Sequence, residues 1–475
     1  MREAVYNSLM RSSKEQKGQP VFRFPKGWHQ ETDSPLPKDA IVGKLEGLYR
    51  MEQSQWWSLE ALRKHQLNQL QELLAHAWHT VPYYRSRLES LGYQPDLQLD
   101  DVLWRSLPLL KRADIHNAGD ELMSTKIPID HGGTSTFQTS GSTGEPVKGK
   151  GTSLTSAYWD VLTLRDHYWH KRDLSGVLAS IRVFSDKKML PPDGGRSSNW
   201  GKATKGLFRT GPAIGLDIMT SVAEQADWLA RNNPEYILTY PSNLEALARY
   251  CMENTVKLPA LREVRTLGEI VTGSLRELCR EAWNVGLVDT YSSKEFGYIA
   301  LQCPEHEHYH VQSESVLVEV LDGEGEPCKP GEIGRLVITS LYNYAMPLIR
   351  YEIGDLAEVG SPCSCGRGLP VIKRILGRTR NMLTLPNGEQ RWPLVGFSKF
   401  REIAPVKQFQ FVQTSLQEVL VRLVVERPLL AGEEDGLREI IRESLGHPFD
   451  IRFEYMDVIH RGKGGKYEEF ISELG

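Results

Sequence analysis

The sequence predicts an α/β protein in two parts: a large N-terminal domain (residues 1–379) with a parallel sheet and a β-rich part, and a small, mobile α+β C-terminal domain (residues 380–475). Three observations lead to it. In the middle of the chain, helical and apolar stretches alternate, the pattern of a parallel sheet with helices on both faces. After Ser315 the pattern changes to strand pairs separated by turns. Beyond a boundary near Gly377 to Arg380 there remain about 95 residues, long enough for a small domain, with their own strand and helix alternation.

From about Asp39 to Leu91 apolar residues recur three and four apart, as in Leu67, Leu70, Leu74 and Trp78, so this region reads as helical. The tryptophans Trp56, Trp57 and Trp78 read as packing residues, and Tyr83–Tyr84 after Pro82 as the start of a turn. A Gly/Ser/Thr-rich loop is expected between Phe137 and Thr152, and a polar surface loop from Ser185 to Thr204. Then come a helix (Ser221 to Asn232), a strand (Tyr236 to Tyr240), a helix (Asn243 to Glu253), a strand (Val264 to Leu267), a helix (Leu275 to Trp283) and a strand (Leu287 to Tyr291). SVLVEVLDGEGEPCKPGEIGRLVITS reads as a hairpin. In the C-terminal part, Gln408 to Gln413, Glu418 to Val425 and Ile451 to Glu454 are strands and Leu437 to Ser444 is a helix.

Composition narrows the function classes. A formal net charge of −4 over 475 residues gives no global attraction to nucleic acid or anionic membrane, and the run Arg461, Lys463, Lys466 is too short to change that. No apolar stretch approaches the roughly 18 residues needed to cross a bilayer. Met1 to Gln19 lacks the apolar run of a secretory signal, so a cytoplasmic location is expected. Six cysteines in so long a chain do not form a disulfide framework.

Ligands of parallel sheets bind beyond the carboxyl ends of the strands. The polar residues there are Pro241–Ser242, Gly268–Glu269 and Ser292 to Glu295. Thr139 to Pro146 (TSGSTGEP) combines hydroxyls with glycines, which let backbone N–H groups approach phosphate oxygens. A Walker-type alternative exists: Gly144 to Lys150 fits G-x-x-x-x-G-K, but Gly151 stands where a Ser or Thr must hold magnesium.

TSGSTGEP resembles the phosphate loop of adenylate-forming enzymes, the superfamily of acyl-CoA synthetases and related ligases. Three later segments resemble its other motifs in order: Asp289 to Glu295 (DTYSSKE), Arg350 to Leu356 (RYEIGDL) and Gly464–Gly465–Lys466. Within the superfamily the chain is similar to the phenylacetate–CoA ligase branch and its capsule-biosynthesis group. The similar segments are QWWSLEALRKHQLNQLQELLAHAWHTVPYYRSRL, Pro241–Ser242, CPEHEHYH and CSCGRGLP.

The resemblance implies the adenylate-forming fold and its chemistry: ATP and Mg2+ convert a small-molecule carboxylic acid to an acyl-adenylate, and the acyl group then passes to the thiol of coenzyme A. An amine acceptor and a non-catalytic nucleotide-binding relative are the alternatives. It implies that Ser140, Gly141, Ser142, Thr143 and Gly144 hold ATP phosphates and that Glu295 holds magnesium. It implies that Asp355 and Arg378 hold the ribose, that Gly268, Glu269, Tyr291 and Ser293 line the nucleotide site, and that Lys466 bridges the carboxylate and the α-phosphate. The acid's pocket is expected around Tyr240, Pro241, Gly268 and Tyr298, and a homodimer is an expected assembly. Two positions depart from the pattern: Arg380 stands at the usual acidic or lysine hinge, and Glu352 where a basic residue is usual.

Cys363–Ser364–Cys365 is a tight pair, and Cys303 lies upstream with His306, His308 and His310 behind it. Three cysteines and one histidine suit a closed, structural Zn2+ site, and spacing alone leaves the histidine open. Zinc-bearing members of the branch resemble Cys-x6-His here, which implies Cys303, His310, Cys363 and Cys365. Cys251, Cys279 and Cys328 read as ordinary thiols.

Overall fold

The computed structural model describes residues 24–30, 39–139, 146–184, 189–378, 382–391, 393, 400, 402–461 and 466–474. Its N-terminal layer is helical: α1 (Asp39–Ser54), α2 (Leu59–Thr80) and α3 (Pro82–Ser90). In α2 the Ser58 hydroxyl caps the Ala61 N–H, and Leu62, Leu70, Leu73, Leu74 and Ala77 bury one stripe. Tyr83–Tyr84 lie inside α3, not in a turn. Pro82 occupies the first helical turn, where its missing N–H costs nothing, and both tyrosines are buried.

The expected loop over 137–152 is strand at both of its ends. β1 (Thr134–Gln138) pairs antiparallel with β2 (Lys148–Thr152), and α4 (Ser153–Trp169) follows. The glycines of β2 hide it in the sequence, yet Gly149 is where the Phe137 ring lies across the hairpin. Lys150 therefore sits within a strand opposite Thr136, and its carbonyl accepts from Asn343 Nδ2 at 3.0 Å. A Walker lysine opens a helix, so that reading fails on local structure.

Among the described residues the central sheet has twelve strands: β3 (Leu178–Arg182), β4 (Gly195–Ser197), β5 (Ala213–Asp217), β6 (Tyr236–Thr239), β7 (Glu263–Leu267), β8 (Gly286–Ser293), β9 (Gly297–Gln302), β10 (Tyr309–Val311), β11 (Val316–Leu321), β12 (Ile333–Ser340), β13 (Tyr351–Val359) and β14 (Val371–Arg378). Their order is β11-β12-β13-β14-β10-β9-β8-β7-β6-β3-β5-β4. Strands β5, β3, β6, β7 and β8 run parallel, with α5 (Val222–Asn232), α6 (Pro241–Glu253) and α7 (Gly273–Trp283) as crossovers. Ser221 and Thr272 cap α5 and α7, and left-handed Asn233 and Asn284 end them. From β8 to β11 every pairing is antiparallel, so β8 is the changeover strand.

The expected surface loop from Ser185 to Thr204 is partly ordered structure. Residues 185–188 lie outside the described residues, but β4 closes one edge of the sheet against β5. Ala203 and Thr204 are buried, and Trp200 Nε1 donates to Gly176 O at 2.9 Å. The helical layer is tied to the β-rich part by buried Arg165, whose guanidinium donates to Gln312 (2.8 Å), Glu314 (2.9 Å) and Glu52 (3.3 Å).

Among the described residues the C-terminal part has its own four-stranded sheet and core. β15 (Val406–Gln413) pairs antiparallel with β16 (Glu418–Val425); β17 (Asp450–Tyr455) and β18 (Phe470–Ser472) add parallel strands outside them. Helix α8 (Ala431–Leu445) crosses from β16 to β17, packing Leu437, Ile441 and Leu445 on Phe409, Phe411 and Val421.

Candidate active site

The changeover strand carries the DTYSSKE motif to the carboxyl edge of the parallel strands. A register shift between Tyr291 and Ser292 ends the regular pairing with β9, and the chain turns. The Ser293 hydroxyl accepts the Phe296 N–H at 3.2 Å and so fixes the turn that carries half-buried Glu295. Lys294 Nζ donates to Gln138 O at 2.8 Å, which brings Glu295 beside the foot of the glycine-rich loop. That foot is closed by Thr139, whose N–H donates to Val147 O (3.0 Å) and whose hydroxyl accepts the Val147 N–H (2.9 Å). Ser140, Gly141, Ser142, Thr143 and Gly144 lie outside the described residues.

Asp355 on β13 faces Arg378 on β14 in register, with Arg378 Nε 3.5 Å from its Oδ1. The Tyr291 hydroxyl donates to Asp355 Oδ2 at 2.6 Å. Burial and the adjacent carboxylate hold the Tyr291 phenol well above its ordinary range, so it stays a neutral donor. Glu352 pairs with Arg335 at 3.6 Å, so its charge is met by a partner other than Arg378.

Lys466, on the C-terminal part, arrives at the end of β7. Gly268 has a φ of +78°, and a Cβ there would meet Lys466 Cε at 3.1 Å, Lys466 Nζ at 3.5 Å and Tyr240 Cε1 at 3.6 Å. Lys466 thus lies against the residue that follows β7, with Tyr240, which follows β6, beside the same point. Burial and the Arg378 guanidinium push its ammonium below the usual lysine range, while Asp355, Glu269 and Glu295 oppose them.

Glu269 does something its sequence position did not reveal. Its Oε2 accepts the Ser242 N–H at 2.9 Å, at the N-terminus of α6. Its Oε1 accepts the Tyr467 N–H at 2.6 Å and lies 3.5 Å from Arg461 Nη1, which also donates to Ser242 Oγ at 2.7 Å. Burial raises the Glu269 carboxyl, and the Arg461 charge and the Ser242 and Tyr467 hydrogen bonds oppose the rise. Sequence reasoning passed over Arg461 and the Tyr467 amide. The available signal was their placement on either side of Gly462 to Gly465. Of the residues expected around an acid's pocket, Tyr240 lies beside Gly268, whereas Tyr298 sits 5.3 Å, ring to ring, from Trp159 and accepts from Thr163 at 3.4 Å.

A second cluster lies at the far ends of β9 and β10. Cys303, His310, Cys363 and Cys365 place one donor atom each within 4.8 Å of one another. Cys303 and Cys363 sulfurs are 3.8 Å apart, and Cys365 Sγ is 3.4 Å from His310 Nε2. A tetrahedron with metal–sulfur bonds of about 2.3 Å and metal–nitrogen bonds of about 2.0 Å has edges of about 3.8 Å and 3.5 Å. His310 Nδ1 lies 3.4 Å from Leu369 O, an arrangement that turns Nε2 towards the thiols. Burial and the Arg367 charge push His310 down to about 3, leaving the neutral imidazole a metal requires. His306 instead bonds Ser364 Oγ at 2.8 Å.

Asp289 joins the two clusters. Its carboxylate accepts from Thr266 on β7 (2.6 Å) and from Tyr309 on β10 (2.7 Å), the residue before His310.

Residues 395–473 match the CapK C-terminal domain. The chain is 28% identical over 342 residues to a phenylacetate-coenzyme A ligase of Thermus thermophilus, covering 69% of this chain and 72% of that protein. It is 25% identical over 258 residues to Protein CapK of Staphylococcus aureus, covering 52% of this chain and 54% of that protein. The solved structure of 2-hydroxyisobutyryl-CoA ligase in the postadenylation state, with R3-HIB-AMP, superposes with a TM-score of 0.67 at 19% identity, covering 86% of this chain and 89% of that one. The same ligase in its thioesterification state gives 0.56 at 21% identity, over the same shares. The fold is that of the adenylate-forming enzymes. The CapK C-terminal match together with the ligase relatives supports a likeness to the phenylacetate–CoA ligase/CapK-like branch of the adenylate-forming enzymes.

Proposed function

We propose that the protein activates a carboxylic acid with ATP, releasing pyrophosphate, and then passes the acyl group to the thiol of coenzyme A. The observation that carries the reading is Lys466, reaching from the C-terminal sheet to Gly268 among Asp355, Glu269 and Glu295. In the first half-reaction a carboxylate oxygen attacks the α-phosphorus, a P–O bond forms and the bond to pyrophosphate breaks. Negative groups are brought together, so the barrier falls by positioning and charge stabilisation. Lys466 neutralises the charge that builds on the α-phosphate and the carboxylate. Asp355, aligned by Tyr291 and Arg378, accepts the ribose hydroxyls. The 140–144 loop, held at its foot by Thr139 and Lys294, takes the leaving phosphates. In the second half-reaction the thiol attacks the acyl carbon, the C–O bond breaks and AMP leaves.

Glu295 offers the hard carboxylate oxygen that magnesium prefers, next to the foot of the phosphate loop; when bound, the ion screens the phosphate charge. The Cys303, His310, Cys363 and Cys365 cluster holds zinc structurally, because four protein donors leave no open coordination position. The division between the domains falls at residues 379/380, just after β14. No described helix is long and apolar enough to cross a membrane.

Pyrophosphate release from ATP and magnesium across a panel of carboxylic acids, with and without coenzyme A, tests the reading. Carboxylate-dependent release that rises with coenzyme A supports it. Release indifferent to coenzyme A but stimulated by amines moves the acceptor to an amine. No release from protein that binds ATP overturns it.

A further inference from the structure

We infer that Glu269 is a positioning residue: it latches the C-terminal domain in the adenylating arrangement by holding both flanks of the segment that carries Lys466, and it is not itself a ligand of the nucleotide. The inference rests on the adenylation reading above and assigns this side chain a different part in it.

The accepting capacity of the Glu269 carboxylate is turned to protein. Oε2 takes the Ser242 N–H of its own domain, and Oε1 takes the Tyr467 N–H, next to Lys466, with Arg461 Nη1 beside it. Arg461 also reaches Ser242 Oγ, so Ser242 and Glu269 form one receptor for two groups of the other domain. Arg461 and Tyr467 bracket the Gly-rich stretch before the lysine. Tyr467 adjoins Lys466, so holding its amide limits where the lysine Nζ can go. The backbone bond matters as much as the ion pair. The Tyr467 amide can reach Glu269 only when the domain sits in this arrangement, so the latch distinguishes it from a rotated one.

Rotation of the C-terminal domain between half-reactions releases Arg461 and Tyr467 and exposes the Glu269 carboxylate to water, which compensates for the lost partners. The latch therefore favours the first half-reaction, and hydration of the released groups limits what it costs the second. A nucleotide ligand would serve both, because AMP stays bound until the acyl group leaves.

Two measurements on the full-length protein test this. The first is hydrogen exchange over residues 455–474 in ligand-free protein, comparing wild type with Glu269→Ala and Glu269→Gln. The latch predicts exchange at least about tenfold faster in Glu269→Ala, with Glu269→Gln between, since a glutamine oxygen still accepts the Tyr467 N–H. Unchanged exchange in Glu269→Ala overturns the proposal whatever the enzyme's substrate.

The second separates the half-reactions with an acid that supports turnover. Glu269→Ala should lower the rate of adenylate formation about 10- to 100-fold at unchanged KM for ATP, and leave thioester formation from supplied acyl-adenylate within about twofold. Arg461→Ala should give a smaller loss of the same kind, and the double variant should be no worse than Glu269→Ala. A raised KM for ATP, equal losses in both half-reactions, or additive effects of the two substitutions would return Glu269 to the nucleotide and overturn the latch. Absence of pyrophosphate release in wild type, with altered exchange in Glu269→Ala, would instead sink the adenylation reading and leave the latch standing.

Discussion

Gly268 and Lys466 meet across the gap between the two sheets: the space a Cβ would fill at Gly268 ends 3.1 Å from Lys466 Cε. Gly268 also has a φ of +78°, where a side chain is strained. Gly268→Ala therefore displaces the lysine and strains the strand end together. Adenylation should fall about 10- to 100-fold, while thermal stability changes by only about 1–2 kcal/mol. Lys466→Ala should lower adenylation further, about 10²- to 10³-fold, with no loss of stability, since it removes a charge without touching a core. Half-reaction rates and urea melts of the two variants check both. Equal adenylation in wild type and Lys466→Ala would overturn the site.

Tyr291→Phe isolates the hydrogen bond to Asp355. The phenol is held neutral, so the substitution removes a donor and no charge. Asp355 then keeps Arg378 but loses its alignment. ATP should bind more weakly by about 1–2 kcal/mol, roughly 5- to 30-fold in KM, with a smaller fall in the maximal rate. ATP titration by calorimetry and steady-state kinetics read the two effects separately. A large fall in rate at unchanged KM would assign the Tyr291 hydroxyl to the reacting centre instead.

What the sequence made legible was local. The parallel strands stand out because their apolar runs are bounded by capped helices, and the polar residues after β7 and β8 follow directly. Cys363–Ser364–Cys365 needs only its own spacing. Two kinds of structure escaped. Strand β2 reads as loop because Gly149 and Gly151 carry no β signal, although pairing with Thr134–Gln138 supplies the order. The Glu269 contacts join residues 192 and 198 positions apart, and nothing local to Glu269 distinguishes a carboxylate facing a nucleotide from one facing a second domain. Pro82 misled for a simpler reason: the residue that breaks a helix from inside begins one from its first turn.

Asp289 should leave a mark on the pH dependence of stability. Burial pushes its carboxyl up to about 6, against an unfolded value near 4, with the Thr266 and Tyr309 hydrogen bonds opposing the rise. Between those two values the folded protein holds a proton that the unfolded chain has released. This group's contribution is therefore most favourable below about pH 4, declines as pH rises to about 6, and is constant above. The whole change is of order 1–3 kcal/mol. Asp289→Asn removes the titration, so its stability relative to wild type should improve steadily from pH 4 to 6.5 in urea melts. A difference that stays constant over that range would show that the carboxyl does not titrate there.

The zinc assignment makes the sharpest separation between stability and chemistry. The four donors draw together the turn after β9, strand β10 and the loop before β14, and Asp289 is linked to β10 through Tyr309. Protein purified without added metal should contain about one zinc per chain, because a closed site with three thiolates binds it tightly. Cys365→Ser should lose that zinc and lower Tm by roughly 5 °C or more, while adenylation measured well below the transition stays within about threefold of wild type. His306→Ala, which removes a histidine bonded to Ser364 and not one of the four donors, should retain both metal and Tm. Metal analysis of the two variants is decisive: zinc kept by Cys365→Ser, or lost by His306→Ala, would break the proposed ligand set.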